Sequence, residues 1–337
     1  MREPSSNPED RVLLARNSMP ALPWWGSRSA GVGGLLWMML AIAAASGRLG
    51  LGIVELLFLI APVAIVPLGL RLLDTGTLLD RIALWLQPIG ALLVVAAFLT
   101  ASGSLAATMT LPWLAIALLL ALGAARLLLR SSLTEPAQIC EVAARLYLLV
   151  GAVWLFCSRA GASPLDYAEP IVLLTAVHFH YAGFVVPLYA GALGRSLKNS
   201  VGPQRVLFLL GAWGAIAAPG LVAAGFVFSP LLRLIAVLLS AASLLLLSSL
   251  TLQLAPAIRP ATARVLLVIS AGSAPIGMAL AGLYAAGEFR ETLILDISQM
   301  AWLHGPLNAL GFSLCGLLGW LRVRARTNLE SRPWSLI

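Results

Sequence analysis

All three histidines of the 337-residue chain fall in two apolar segments. His178 and His180 lie in EPIVLLTAVHFHYAGFVVPLYAGALGR, and His304 lies in DISQMAWLHGPLNALGFSLCGLLGW. Imidazole changes charge close to neutral pH, so it can serve as general base, general acid, proton relay or metal ligand. Tyr181 follows His178 by three residues and Asn308 follows His304 by four, spacings that share a helical face. The tyrosine offers an acid, and the asparagine can orient His304 or a substrate oxygen. A dry surrounding disfavours charge and so favours the neutral imidazole that acts as a base.

Metal chemistry is the alternative, since three histidines with an open fourth position form a known catalytic zinc arrangement, and imidazole also suits iron. Spacing opposes the simple version. His178 and His180 are two residues apart, about 200° around an ideal helix, and cannot both face one ion unless the segment is unwound. Gly183 and Pro187 can loosen that turn, because Pro187 cannot bond the Gly183 carbonyl. Haem ligation, one histidine from each segment, is a further alternative that no other haem signature accompanies. The favoured chemistry is acid/base catalysis without a required cofactor.

The elements that position these residues follow from composition. The chain is 60% hydrophobic and 11% charged, with a mean hydropathy of +0.94, too little charge for a water-soluble surface. Continuous apolar runs of about twenty residues are long enough to cross a ~30 Å hydrocarbon layer, and they lack the alternation of a membrane barrel. The runs predict ten helices, at 32–47, 50–70, 82–100, 105–125, 139–158, 171–193, 206–228, 231–254, 264–286 and 297–321. Tight connections around Ser102 and Pro230 leave a re-entrant hairpin as the alternative at those two places. Val32 to Ala45, followed by Ala-Ser-Gly, resembles a signal-peptide core, but an uncleaved first helix is expected.

Charge then fixes direction. Arginine and lysine crowd both termini and alternate connections: Arg71 and Arg81; Arg126 and Arg130; Arg195, Lys198 and Arg205; Arg259 and Arg264. The intervening connections hold only Arg48, Arg159, Arg233 and Arg290. By the positive-inside rule both termini are cytoplasmic, and the net charge of +8 reflects topology, not nucleic-acid binding. The sixth and tenth helices therefore both run inward. His178 lies nine residues beyond Glu169, and His304 eight beyond Asp296, about 12–14 Å in from those acids. Matched depth predicts one shared site, and ionisable side chains within a bilayer are functional by default.

At this point the chain resembles a known family, the YndJ-like bacterial membrane proteins, through VHFHYAGFVVPLYAG and QMAWLHGPLNALGF. The resemblance covers roughly residues 140–321. It implies a multi-spanning membrane protein in which His178, His180, Tyr181, His304 and Asn308 matter, without implying a reaction.

Other residues carry weaker signals. Glu55, one turn below the outer end of the second helix, can partner the histidines or sit at the interface. Glu141 and Arg145, four apart, are expected to pair with each other near the cytoplasmic face. Small residues around Ala215 to Gly220, and Gly277 with Ala281, read as close helix packing. Trp24, Trp25, Trp320 and Trp334 fit an interfacial belt. Cys140, Cys157 and Cys315 lack CxxC spacing and read as packing residues.

The expectation is an all-α polytopic bundle in a bacterial cytoplasmic membrane. A polar cytoplasmic segment (1–31) precedes a single transmembrane domain (32–321) and a basic cytoplasmic tail (322–337). The leading function is an enzyme of isomerase or cyclase type that acts on a small lipophilic substrate through His178, His180 and His304. A proton-coupled transporter or exporter using the same histidines is the alternative.

Overall fold

A computed structural model describes residues 25–73, 77–130 and 135–330. Among the described residues every regular element is helical. Ten helices follow in order: α1 (Trp25–Ala45), α2 (Ile53–Leu70), α3 (Leu78–Phe98), α4 (Ser104–Arg130), α5 (Pro136–Ala160), α6 (Ile171–Ser196), α7 (Pro203–Phe228), α8 (Pro230–Leu254), α9 (Ala261–Phe289) and α10 (297–330). Nine are long and apolar enough to span a membrane, and α1 contributes a shorter apolar stretch, Ser29–Ala45. The protein is an all-α polytopic bundle.

The ends differ from expectation for local reasons. Helix α3 starts at Leu78 because Thr77 and Asp80 form a capping box, each side chain bonding the other's backbone N–H. Helix α10 continues to Glu330, so the first part of the expected basic tail is helical. The α3–α4 and α7–α8 pairs are full-length helices of 21, 27, 26 and 25 residues, not re-entrant hairpins.

Helices gain little from apolar contact with one another in lipid, so close approach and interhelical hydrogen bonds hold the bundle. On α7, a Cβ at Gly211 or Gly214 would come within 3.0 Å of Leu247 or 2.8 Å of Ser243 on α8. Ser243 donates its hydroxyl to the Gly211 carbonyl at 2.6 Å. The most enclosed spans are α2 and α6, 78% and 67% buried, against 56% or less for the rest. They form the centre.

Three helices are locally widened into π turns: α2 at Ala61–Ile65, α6 at Phe179–Val185 and α10 at Leu307–Leu314. Each is bordered or entered by proline (Pro62 and Pro67, Pro187, Pro306), which deletes an N–H from the helical ladder and crowds the preceding turn. Neighbouring side chains cover carbonyls of these widened turns. Gln87 of α3 donates to Pro62 O at 2.8 Å, and Ser270 of α9 donates to Phe312 O at 2.7 Å. These three helices touch one another, and the residues that carry chemistry lie on them.

Candidate functional site

An elongated cavity of about 310 Å³ lies among α6, α7, α8, α9 and α10, with Leu57 of α2 and Trp154 of α5 on one side. On α10 its lining runs from Ile297 to Phe312 and Ser313, about 20 Å of helix. Its wall is overwhelmingly apolar. His178, Tyr181, His304 and Asn308 all line it.

Both imidazoles are tethered at one nitrogen. His178 Nε2 lies 3.0 Å from the Pro219 carbonyl, and His304 Nδ1 lies 2.7 Å from the Gly277 carbonyl. A carbonyl only accepts, so these nitrogens carry the protons, and the tautomers follow from the partners. That leaves Nδ1 of His178 and Nε2 of His304 as lone pairs without a hydrogen-bond partner among the described residues. The cavity thus presents two bases, each fixed by a different neighbouring helix.

Close packing sets these tethers. A Cβ at Gly277 would sit 2.7 Å from Asn308 Nδ2, and one at Gly305 would sit 2.3 Å from Leu57 Cδ1. Glycine therefore lets α10 approach α9 and α2 closely enough for His304 to reach the Gly277 carbonyl. Asn308 donates Nδ2–H to the His304 carbonyl at 2.8 Å, fixing the backbone of the histidine, not its ring. Tyr181 donates its hydroxyl to the Leu57 carbonyl at 2.7 Å. Its ring borders the cavity, but its proton is directed into α2.

His180 is elsewhere. It is fully buried on the opposite side of α6, where Trp113 Nε1 donates to its Nε2 at 3.1 Å and its Nδ1 donates to the Ala176 carbonyl at 2.8 Å. Its ring meets Phe58 edge-on at 4.9 Å between centroids. Gly151 of α5 makes the room, since a Cβ there would lie 2.7 Å from His180 Nδ1. Both ring nitrogens are used, so His180 is held apart from the cavity. The two-residue spacing persists as opposite faces despite the π turn. Consequently the three imidazoles do not surround one point, and among the described residues no three His, Cys, Asp or Glu side chains gather as a metal site. Of the imidazole nitrogens, those left without a hydrogen bond that could meet a metal are His178 Nδ1 and His304 Nε2.

Glu55 does not face the histidines. It lines a separate recess with Arg159 and Glu169, and Glu169 caps α6 by accepting the Leu173 N–H at 3.1 Å. Asp296 likewise caps α10, accepting the Gln299 N–H at 2.7 Å.

Glu141 and Arg145 do not form a self-contained pair. Arg145 Nε lies 3.4 Å from Asp80 Oδ1 and its Nη1 lies 4.0 Å from Glu141 Oε2, while Glu141 also pairs with Arg195. Asp80, Arg145 and Glu141 are all buried. Asp80 lies two residues before the apolar run that predicts a helix from 82, so hydropathy alone leaves it in the connection. The Thr-x-x-Asp capping spacing was the available signal that the helix begins earlier. Trp320 is also buried, 5.8 Å from Tyr189 between ring centroids, so it packs inside the bundle and not in an interfacial belt. Trp24 and Trp334 lie outside the described residues, as does the side chain of Trp25.

The YndJ-like protein family model matches residues 56–312, most of the chain and well beyond the second half. The chain belongs to the YndJ-like family. It is 35% identical over 175 residues to the uncharacterized membrane protein YndJ of Bacillus subtilis (strain 168), a stretch covering 52% of this chain and 31% of that relative. The match thus spans less than a third of the relative's length. No solved structure matches significantly. The matched family region includes α6, α7, α8 and α9 whole and α10 as far as Phe312, and so all four cavity residues named above.

Proposed function

We propose that this YndJ-like protein is a membrane-embedded enzyme moving a proton within a small lipophilic substrate, with His178 Nδ1 and His304 Nε2 as the reacting bases. The observation that supports this reading is a pair of tethered imidazoles, each with one nitrogen free of a hydrogen bond, lining one apolar cavity. An isomerisation by proton relocation balances without another reactant. One imidazole takes a proton from a substrate carbon, and the imidazolium so formed returns it to a different carbon. The second imidazole, with its lone pair free, can accept a hydrogen bond from a substrate hydroxyl and so hold the substrate beside the first. Asn308 and Gly277 are positioning residues, and His180 holds the turn that carries His178 and Tyr181.

The inward end of the cavity favours an enzyme over a transporter. Its deepest α10 residues are Phe312 and Ser313. Beneath them Phe312 packs on Tyr189 at 5.0 Å between centroids, and Tyr189 donates to Thr251 at 2.9 Å. The second reading, a proton-coupled transporter or exporter, draws support from the buried charges at Asp80, Glu141 and Arg145, which supply ionisable groups in the inner half. On either reading the protein sits in a bacterial cytoplasmic membrane, with both termini inside.

Deuterium incorporation tests the enzyme directly. Purified protein is incubated in D2O with the lipid extract of its host, and the extract is surveyed by mass spectrometry. The expected result is deuterium in a lipophilic compound with wild type and none with His178→Ala or His304→Ala. Equal labelling by wild type and both variants, or no labelling by any, refutes the enzymatic reading. Loss of substrate efflux from His304→Ala proteoliposomes without loss of conversion selects the transporter.

A further inference from the structure

The cavity has one charged lining residue, Arg233 of α8, at the end the charge pattern assigns to the outside. Its Nη1 pairs with Glu288 of α9 at 2.7 Å, and its guanidinium lies 4.5 Å from the Phe226 ring centroid. The side chain is only 13% exposed, and its Nε–H is buried without a hydrogen-bond partner. Arg233 lines the cavity with Nη1 taken by Glu288, so an anion in the cavity has a guanidinium to meet at this rim. Tyr284, against Glu288, and Tyr167, which donates to the Phe226 carbonyl at 2.6 Å, build the same rim. From Ile297 at this rim to His304 is seven residues, about 10 Å of helix.

We propose that the cavity binds a single-chain amphiphile whose oxyanion head, carboxylate or phosphate, accepts from the Arg233 guanidinium at the outer rim. The apolar chain then runs inward past His178 and His304 toward Phe312. Head and chain have complementary reasons to adopt this direction. Arg233 is the cation at one end, and every wall below the rim except the two imidazoles, Asn308 and isolated hydroxyls is apolar. Glu288 holds Arg233 in place through Nη1. The inference rests on the cavity being the substrate site, and deepens the proposed function by naming the substrate class.

Native mass spectrometry of the full chain with four probes tests it: dodecanoate, dodecyl phosphate, dodecanol and dodecane. Wild type is expected to bind one or both oxyanions about ten-fold or more tightly than dodecanol, the worth of a hydrogen bond to a charged group. A preference for one oxyanion identifies the head. Arg233→Lys keeps the charge facing Glu288 but lacks the guanidinium fork that serves two acceptors at once, and is expected to lose most of that preference while dodecane binding holds. The double variant Arg233→Gln/Glu288→Gln, which leaves neither charge unpaired, is expected to lose it too. Ala281→Trp, filling the cavity, is expected to abolish binding of all four probes. Dodecanol binding as tightly as both oxyanions, an unchanged preference in a folded Arg233→Lys or double variant, or full binding by folded Ala281→Trp overturns the proposal. Absence of deuterium transfer by wild type, with its oxyanion preference intact, would strike the catalytic assignment alone.

Discussion

Replacing His180 should damage the protein more than replacing either cavity histidine, and in a different way. His180→Ala removes two buried hydrogen bonds, from Trp113 and to Ala176, together with the edge contact on Phe58. Interhelical hydrogen bonds in membrane proteins average about 0.6 kcal/mol and reach about 1.7, and an aromatic edge contact adds about 0.5–1.5 kcal/mol. The vacated imidazole volume leaves Trp113, Phe58 and Gly151 without packing partners. The hydrophobic transfer contribution largely cancels, because the unfolded helices remain in lipid, so the sum is about 2–4 kcal/mol. His304→Ala loses only the contact to Gly277 and widens an existing cavity, about 1 kcal/mol or less. Cys140, fully buried on α5, reports unfolding when Cys157 and Cys315 are changed to serine. Its alkylation is then followed during a denaturant titration of detergent-solubilised protein. The reasoning fails if Cys140 becomes reactive at the same denaturant concentration in His180→Ala and His304→Ala. It also fails if His180→Ala keeps full stability while losing conversion, since His180 would then act in chemistry.

Gly277→Ala should lower conversion with little unfolding, because the new Cβ meets Asn308 Nδ2 at 2.7 Å and must displace the residue that steadies His304; turnover alongside the Cys140 reporter checks this. Asp80→Asn leaves Arg145 with reduced counter-charge in a buried site and should cost about 3 kcal/mol, whereas Asp80→Asn with Arg145→Gln should recover part of that loss; denaturant midpoints of the three variants decide. A reporter enzyme active only outside the cytoplasm should work when fused after Leu165, between α5 and α6, and fail when fused after Lys198, between α6 and α7. The reverse pattern would invert the bundle and place the Arg233 rim at the cytoplasmic face.

Helix number and type were legible because twenty apolar residues bounded by charge or by small and turn residues leave few alternatives in lipid. The faces of the helices were legible where spacing is local. Tyr181 three after His178 and Asn308 four after His304 do line the same cavity as their histidines. Backbone partners were not legible, because a carbonyl has no letter of its own. Pro219 and Gly277 supply the acceptors that tether His178 and His304, yet both lie in stretches that read only as close helix packing. Arg233 read only as a residue of a connection, since its burial depends on how α7, α8 and α9 meet. Asp80 was missed because a boundary drawn from hydropathy excludes the acid that caps the helix.

The count of histidines misled where their spacing did not. Three imidazoles in two segments of equal depth invite a single cluster, but two residues of separation turn His178 and His180 to opposite sides of α6. The π turn that begins at Phe179 does not reverse this. It widens the helix next to His178, with its side chains held by α2, α4 and α5. A π turn is less well bonded than the helix around it and persists where neighbours stabilise it. Here His180, through Trp113, and Tyr181, through Leu57, provide that support. One histidine is thus spent on holding the distorted turn beside which the other is presented, and its removal should disturb His178 indirectly. A His180→Ala variant retaining enough fold to assay should therefore show a position-dependent loss at His178, relieved least by added base and most by a buried hydrogen-bonding replacement such as His180→Asn. Rescue by imidazole in the medium would contradict this division of labour.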